Sequence, residues 1–163
     1  MYLITDAYLT ERFNISKHLD TPEITEALAN VTEFHVKKLL GKPLYKLYLN
    51  HIENATTLTA KQAELYELIK LYFGLMVKYE LMYKLFDITA KGNQTEPSAA
   101  SIEMVQLKRN SEYAKASIAK EDIKKFLEAN KADFPEYFPD VTSTSTGYSP
   151  LVYRKEPKKW YGI

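Results

Sequence analysis

One stretch of the chain, from Thr59 to Phe86, constrains the fold most because it reads as a single long helix that is apolar on nearly every side. It opens with Thr59-Ala60-Lys61-Gln62, a capping-box pattern in which the Thr and Gln side chains satisfy free backbone N–H groups at a helix start. Apolar side chains then recur every three or four residues, the period of a helix face. Such a helix spans roughly 40 Å, and its apolar girth predicts that other elements cover most of it.

Two sets of apolar side chains follow this helix. The first lies along one face and comprises Leu65, Leu68, Ile69, Tyr72, Leu75, Met76, Tyr79, Met82, Tyr83 and Phe86. The second comprises Leu71, Phe73, Val77, Leu81 and Leu85. Because a chain of 163 residues can hardly wrap such a helix alone, the second set has two interpretations: an intramolecular core, or a subunit interface formed by these five residues. The polar remainder, interpreted as a solvated stripe, is Glu64, Glu67, Lys70, Gly74 and Lys78.

The patterns on either side predict further helices. A short helix follows a Thr5 cap, and a second begins at Thr21-Pro22, where proline suits the first helical position, and stops at Gly41. Pro43 begins another short helix. Helical periodicity returns from residues 98 to 130, as one helix or as two. We therefore expect an all-α fold.

The last part of the chain differs in kind. Residues 141–163 combine a Ser/Thr run with large apolar side chains and with four basic residues against one glutamate. This segment lacks a helical period and is too apolar for a plain disordered tail. We divide the chain into an α-helical domain, 1–140, with four to six helices around the central helix at about 60–86, and an extended C-terminal docking arm, 141–163. The predicted protein-binding residues of the arm are Tyr148, Leu151, Val152, Tyr153, Trp160 and Tyr161.

The arm has two other interpretations. It could be a solvated tail, or its rings and lysines could stack on bases and contact phosphates. In the latter case the chain would be a small helical binding or regulatory protein whose basic-aromatic arm contacts nucleic acid. The whole chain carries a formal charge of only +1, so no global field draws it to nucleic acid or to an anionic membrane.

The amino-acid composition also limits the cellular compartment in which we expect the chain to fold. The chain has no cysteine, which excludes disulfides and thiolate metal sites and favours a reducing cytoplasm. The N-terminus lacks the pattern of a signal peptide. The longest uncharged apolar run in the central helix, Leu71–Val77, has seven residues, against about 20 for a membrane-spanning helix. We therefore expect no membrane partner.

Sequence motifs for catalysis are missing. The five glycines form no phosphate-binding loop. The three histidines, His18, His35 and His51, form no HExxH pair and no inward Glu-x-x-His set of the kind that binds zinc or di-iron centres. No nucleophile elbow surrounds a serine. We expect no enzyme, no cofactor and no metal, although a site assembled from distant residues would leave no motif.

Several short motifs, taken in order, resemble one protein family. The chain opens with Leu3-Ile4-Thr5, has Ile15-Ser16-Lys17 before a helix, and ends that helix with Leu39-Leu40-Gly41 followed by Leu44-Tyr45. The long aromatic helix ends at Ile88-Thr89-Ala90-Lys91-Gly92, and Pro-Glu-Tyr-Phe-Pro at 135–139 closes the helical part. This layout, over residues 1–140, resembles the small α-helical head-to-tail connector proteins of tailed bacteriophages, also called adaptor, head-completion or ring proteins, especially those of Bacteroidetes phages such as the crAss-like group.

The resemblance implies a structural role in the virion. Connectors of this kind form a ring, usually twelvefold, below the portal at the head–tail junction, where they extend the DNA channel and provide the surface for tail attachment. It implies a homo-oligomer, a portal partner, adjacent tail or ring proteins, non-specific passage of genomic DNA, and assembly in the host cytoplasm. The arm of 141–163 would then bridge to a neighbouring protomer, to the portal or to the next ring.

Overall fold

The computed structural model describes residues 2–15, 21–90 and 102–138, and these ranges contain helices and no strand. The elements are α1 (Asp6–Phe13), α2 (Thr21–Val31), a π-helical turn (Thr32–Val36), α3 (Lys37–Asn54), α4 (Ala60–Ala90), α5 (Ile102–Ala129) and a 3-10 turn (Lys131–Asp133). The predicted all-α fold is confirmed. None of the described helices is both long and apolar enough to cross a membrane.

Helix α1 begins at the predicted cap. The Thr5 side chain accepts a hydrogen bond from the Tyr8 backbone N–H at 3.2 Å, which satisfies one of the free donors of the first turn. Leu9 and Phe13, one turn apart, are both buried. The ring of Phe13 lies directly over Gly74 of α4, so closely that a Cβ atom on Gly74 would overlap it. Glycine is therefore required there to let α1 approach the central helix.

Helix α2, the π-helical turn and the start of α3 run on continuously as far as Gly41. Gly41 has φ 73° and ψ 162°, a left-handed φ that side chains rarely adopt, and Pro43 follows it. The predicted stop at Gly41 is thus present as a sharp bend inside α3. Within the π-helical turn, the Thr32 hydroxyl donates to the Leu28 carbonyl at 2.7 Å, which satisfies a buried hydroxyl beside the irregular turn.

Helix α4 begins with the predicted capping box. The Thr59 backbone N–H donates to Gln62 Oε1 at 3.0 Å, and the Gln62 N–H donates to Thr59 Oγ1 at 3.2 Å. The helix extends to Ala90, four residues beyond the predicted end. It packs against α1, α2, the π-helical turn and, most extensively, α5, so it is the central helix of the fold.

Helix α5 is one helix, which settles the choice between one and two in this region. Its last turn is closed by Asn130, whose side-chain Nδ2 donates to the Phe126 carbonyl at 2.8 Å. Beyond it, Phe134 is fully buried and anchors the chain before the turn at Pro135. The i,i+4 spacing of Glu121 and Lys125 favours an ion pair, but Glu121 pairs instead with Lys124 at 2.7 Å.

The core surrounds α4 and draws on every described helix. Its fully buried large side chains come from the N-terminal segment, α3, α4 and the residue that follows the 3-10 turn. They are Leu3, Leu9, Ile15, Leu40, Leu44, Tyr48, Leu65, Ile69, Phe73, Met76, Leu81 and Phe134.

Candidate interaction surfaces

The five residues predicted as a subunit interface on the central helix have different placements. Phe73, Val77 and Leu81 are buried in the chain's own core, at 2% exposure or less. For these three, the intramolecular core is the interpretation that the structure shows, because α1, α2 and α5 already cover the helix on most sides. Leu71 is half-buried against the same core, and the Leu85 side chain lies outside the described part. In this conformation, then, the three buried residues offer no surface to a second subunit.

Among the described residues, one apolar surface left to solvent lies on the outer face of α5. Leu107 is 70% exposed, Ile118 is 64% exposed, and Met104 is also exposed. Together with exposed Ser111 and Ala114, they are spaced three and four residues apart and fall within an arc of about 80° on the helix. We call these five residues the α5 stripe. It has large side chains at both ends and small ones in the middle.

The α5 stripe faces solvent because the opposite side of α5 is packed on α4. Val105, Ala116, Ala119 and Ile123 are buried there, and the two alanines let the helices approach closely, as their size predicts. The buried inner residues and the α5 stripe therefore occupy different sides of the same helix.

Polar contacts along the seam fix α5 in that orientation. Glu112, only 7% exposed, lies 3.4 Å from Lys78 Nζ of α4 and 2.9 Å from Lys115 Nζ. The Arg109 guanidinium lies over the rings of Tyr79 and Tyr83, at 4.0 and 4.7 Å from their centroids. At Lys78, therefore, the polar stripe of α4 is a contact with α5 rather than a solvated face.

A second surface is a cleft of about 300 Å³ on another side of the molecule. The π-helical turn supplies Phe34 and His35 to it, and α5 supplies Lys120 and Lys124. Its other lining residues are Lys38, Leu39, Tyr72 and Tyr137. Cations and aromatic rings therefore line one space, which we call the basic cleft.

Three lysines and the neighbouring Glu80 set the electrostatic environment of the basic cleft. Burial lowers the pKa of His35, and Lys120 and Lys38 act in the same direction while Glu80 opposes them. Burial raises the pKa of Tyr72 to about 12. Tyr72 is only 3% exposed, and no hydrogen bond within the described residues uses its hydroxyl.

Other predicted residues are not brought to either surface. All six arm residues, Tyr148, Leu151, Val152, Tyr153, Trp160 and Tyr161, lie outside the described residues, as does His18. His51 is close to the Thr56 carbonyl through Nδ1 and to the ring of Tyr66. No group of three His, Asp or Glu side chains within the described ranges could hold a metal ion.

Sequence reasoning missed both surfaces for different reasons. The three- and four-residue spacing of the α5 stripe is visible in the sequence, but a second stripe through Val105 and Ile123 follows the same helix, and spacing does not say which one faces the core. The basic cleft joins residues from four separate segments, so no local pattern could reveal it.

Comparison with known proteins identifies a family without a known activity. No curated protein and no solved structure matches the chain. A family model described as a family of unknown function, DUF6712, matches residues 36–147. The match runs from the end of the π-helical turn through α3, α4 and α5, and so covers the central helix, the α5 stripe and part of the basic cleft. The chain belongs to the DUF6712 family.

Proposed function

We propose that this protein is a structural component of a phage virion: a head-to-tail connector that forms a ring below the portal. The ring would extend the DNA channel and offer the surface on which the tail attaches. The connector-like order of motifs along residues 1–140 suggests this role. The α5 stripe is the structural observation that carries the proposal, because it offers a contact surface that the isolated chain leaves open.

The α5 stripe suits a contact with a second copy of the chain. Leu107 and Ile118 expose most of their side chains, and exposed apolar rows of this kind mark protein contacts more often than scattered single residues do. Ser111 and Ala114 between them would let a neighbouring backbone approach closely. We therefore propose the interface on the outer face of α5. The central helix is not used, because Phe73, Val77 and Leu81 are buried.

Ring closure sets the geometry of this contact. In a ring the α5 stripe of one copy meets a different surface of the next copy, because only such head-to-tail contacts continue around a rotation axis. Each copy then uses two surfaces, and many modest contacts add up around the ring. The predicted twelvefold symmetry and the role of the arm, 141–163, as an anchor belong to this proposal.

Electron microscopy of the protein mixed with the portal ring of the same phage tests the proposal. We expect added density with rotational symmetry at one end of the portal. A double variant, Leu107→Glu with Ile118→Glu, should abolish it, since two carboxylates would be buried in an apolar contact. Deletion of 141–163 should abolish it as well if the arm is the anchor.

The matched control adds the same charge away from the α5 stripe. Gln106→Glu with Asn50→Glu changes two exposed residues and should leave the added density intact. Absence of density with the wild type and with every variant, or density that survives the Leu107/Ile118 variant, would contradict the proposal in its present form.

A further inference from the structure

We infer that the basic cleft is a binding site for an acidic peptide segment of a partner protein. The segment would place a carboxylate among the three lysines and an adjacent apolar or aromatic side chain against Phe34 and Tyr137. This site is separate from the α5 stripe and does not rest on ring formation.

The charges that line the cleft and the volume of the cleft indicate which ligand it would bind. Lys38, Lys120 and Lys124 line a single cleft, and of the three only Lys124 has a carboxylate partner within the described residues, the exposed Glu121 at 2.7 Å. A carboxylate entering the cleft would meet cations on two elements at once, which favours an anion over a neutral group. The volume, about 300 Å³, is at the small end of ligand sites and suits one or two side chains.

Phe34 supplies the apolar half of the site. It is 59% exposed, although a phenylalanine of this kind is normally withdrawn from water. The ammonium of Lys38 lies 5.4 Å from its ring centroid. Phe34 lies in the π-helical turn, and such turns occur frequently at functional sites because they displace side chains from regular helical positions.

Tyr72 adds a buried aromatic residue to the lining of the cleft. Its side chain is almost completely buried and lines the cleft, and its hydroxyl has no hydrogen-bond partner within the described residues. The carboxylate of a bound segment is therefore assigned to the lysines, and its apolar side chain to Phe34 and Tyr137.

The alternative occupant is single-stranded nucleic acid, whose phosphates and bases could also meet lysines and rings. Proteins that bind it use grooves that follow several nucleotides. The cleft here is short, and the chain's formal charge is only +1, so the observations favour a peptide side chain over a phosphate backbone.

Binding of a fluorescent peptide to the full-length protein tests the inference. The probe is Asp-Glu-Phe-Asp-Leu-Glu, and its neutral counterpart is Asn-Gln-Phe-Asn-Leu-Gln. We expect anisotropy to report binding of the acidic peptide below about 1 mM and weaker binding of the neutral one. Lys120→Glu should weaken the acidic peptide about tenfold or more, and Phe34→Ala should also weaken it.

Lys46→Glu is the matched control. Lys46 is exposed on α3, away from the cleft, and its substitution changes the net charge by the same amount as Lys120→Glu. It should leave the affinity nearly unchanged. Equal binding by wild type and Lys120→Glu, equal weakening by Lys46→Glu, or no binding at about 1 mM would overturn the inference. Tighter binding of an oligothymidylate than of the peptide, lost in Lys120→Glu, would overturn it in favour of nucleic acid.

Discussion

The two longest helices differ in how much of their apolar surface other elements cover. Helix α4, with 31 residues, is surrounded by α1, α2, the π-helical turn and α5. Helix α5, with 28 residues, packs on α4 along one side and leaves the α5 stripe in water. Both helices carry large apolar side chains at helical spacing. Within the described residues, α4 is covered on most sides, whereas α5 is covered on one side.

This difference teaches where a missing partner should be sought. An apolar girth such as that of α4 shows that a helix is covered, without showing by what. Exposed Leu107 and Ile118 on α5 are more informative, because the described part of the chain leaves them uncovered.

Truncating one large residue on each helix should separate the two environments most clearly. Phe73→Ala should lower the free energy of unfolding by about 3–5 kcal/mol, because it empties space in a closed core. Leu107→Ala should change it by about 0.5 kcal/mol or less, because that side chain is exposed in the monomer. Urea unfolding of dilute protein measures both, and similar losses in the two variants would contradict the contrast.

Alkaline pH should lower the free energy of unfolding through Tyr72 of α4. Folding raises the pKa of Tyr72 from 10.0 to about 12, so the neutral phenol favours the folded state. That contribution is complete below pH 10 and is lost as the pH rises to about 12, and for this nearly buried group it amounts to about 2–3 kcal/mol.

Tyr72→Phe isolates this contribution from those of the other tyrosines. The free energy of unfolding of the variant, measured by urea titration at several pH values, should fall less steeply than that of the wild type between pH 10 and 12. Identical slopes would show that the hydroxyl of Tyr72 is as easily ionised in the folded state as in the unfolded one.

Two small residues, one on each helix, provide a matched pair. Gly74→Ala should destabilise the protein by about 1–3 kcal/mol, since the new methyl would overlap the ring of Phe13, although alanine favours an open helix position. Ala114→Leu on the exposed face should be nearly neutral. Thermal unfolding distinguishes them.

A double variant checks the cause of the Gly74 effect. In Gly74→Ala with Phe13→Ala, the loss should be smaller than the sum of the two single losses, because the ring that the methyl overlaps is gone. Simple additivity would place the cause elsewhere on α4.

The seam between the helices should contribute least. Glu112→Gln keeps the shape of the side chain but removes the charge that Lys78 and Lys115 share. We expect a loss of about 1 kcal/mol, limited because Lys115 is exposed, and a smaller dependence of stability on salt. Calorimetry at low and high salt measures both, and an unchanged salt dependence would mean that the seam is held by packing alone.

The parts of the fold that local rules control were predictable from the sequence. Thr5 and Thr59 are capping residues with strong local geometry, and Gly41 is required by a left-handed backbone. The apolar period identified the central helix. Its end was predicted at Phe86, but the helix continues to Ala90, because no strong stop signal comes before Lys91-Gly92.

Tertiary choices were less predictable. The sequence could not say that Phe73, Val77 and Leu81 face the chain's own core rather than a second subunit, since both environments are apolar. Nor could it show that Gly74, assigned to a polar stripe, is covered by Phe13. The basic cleft depends on a π-helical turn at Thr32–Val36, and no residue pattern in that segment marks the change from an α-helix.

Because the chain has no cysteine, thiol labelling can report whether the α5 stripe is buried in the ring. A single Leu107→Cys substitution supplies one thiol on the α5 stripe, and Glu67→Cys supplies one on an exposed position of α4. Both thiols should react quickly with a maleimide in the monomer. In the complex with the portal ring, the thiol on the α5 stripe should be protected while the thiol on α4 still reacts. Equal labelling of both in that complex, or no complex at all, would contradict the claim that the α5 stripe joins the copies of a ring.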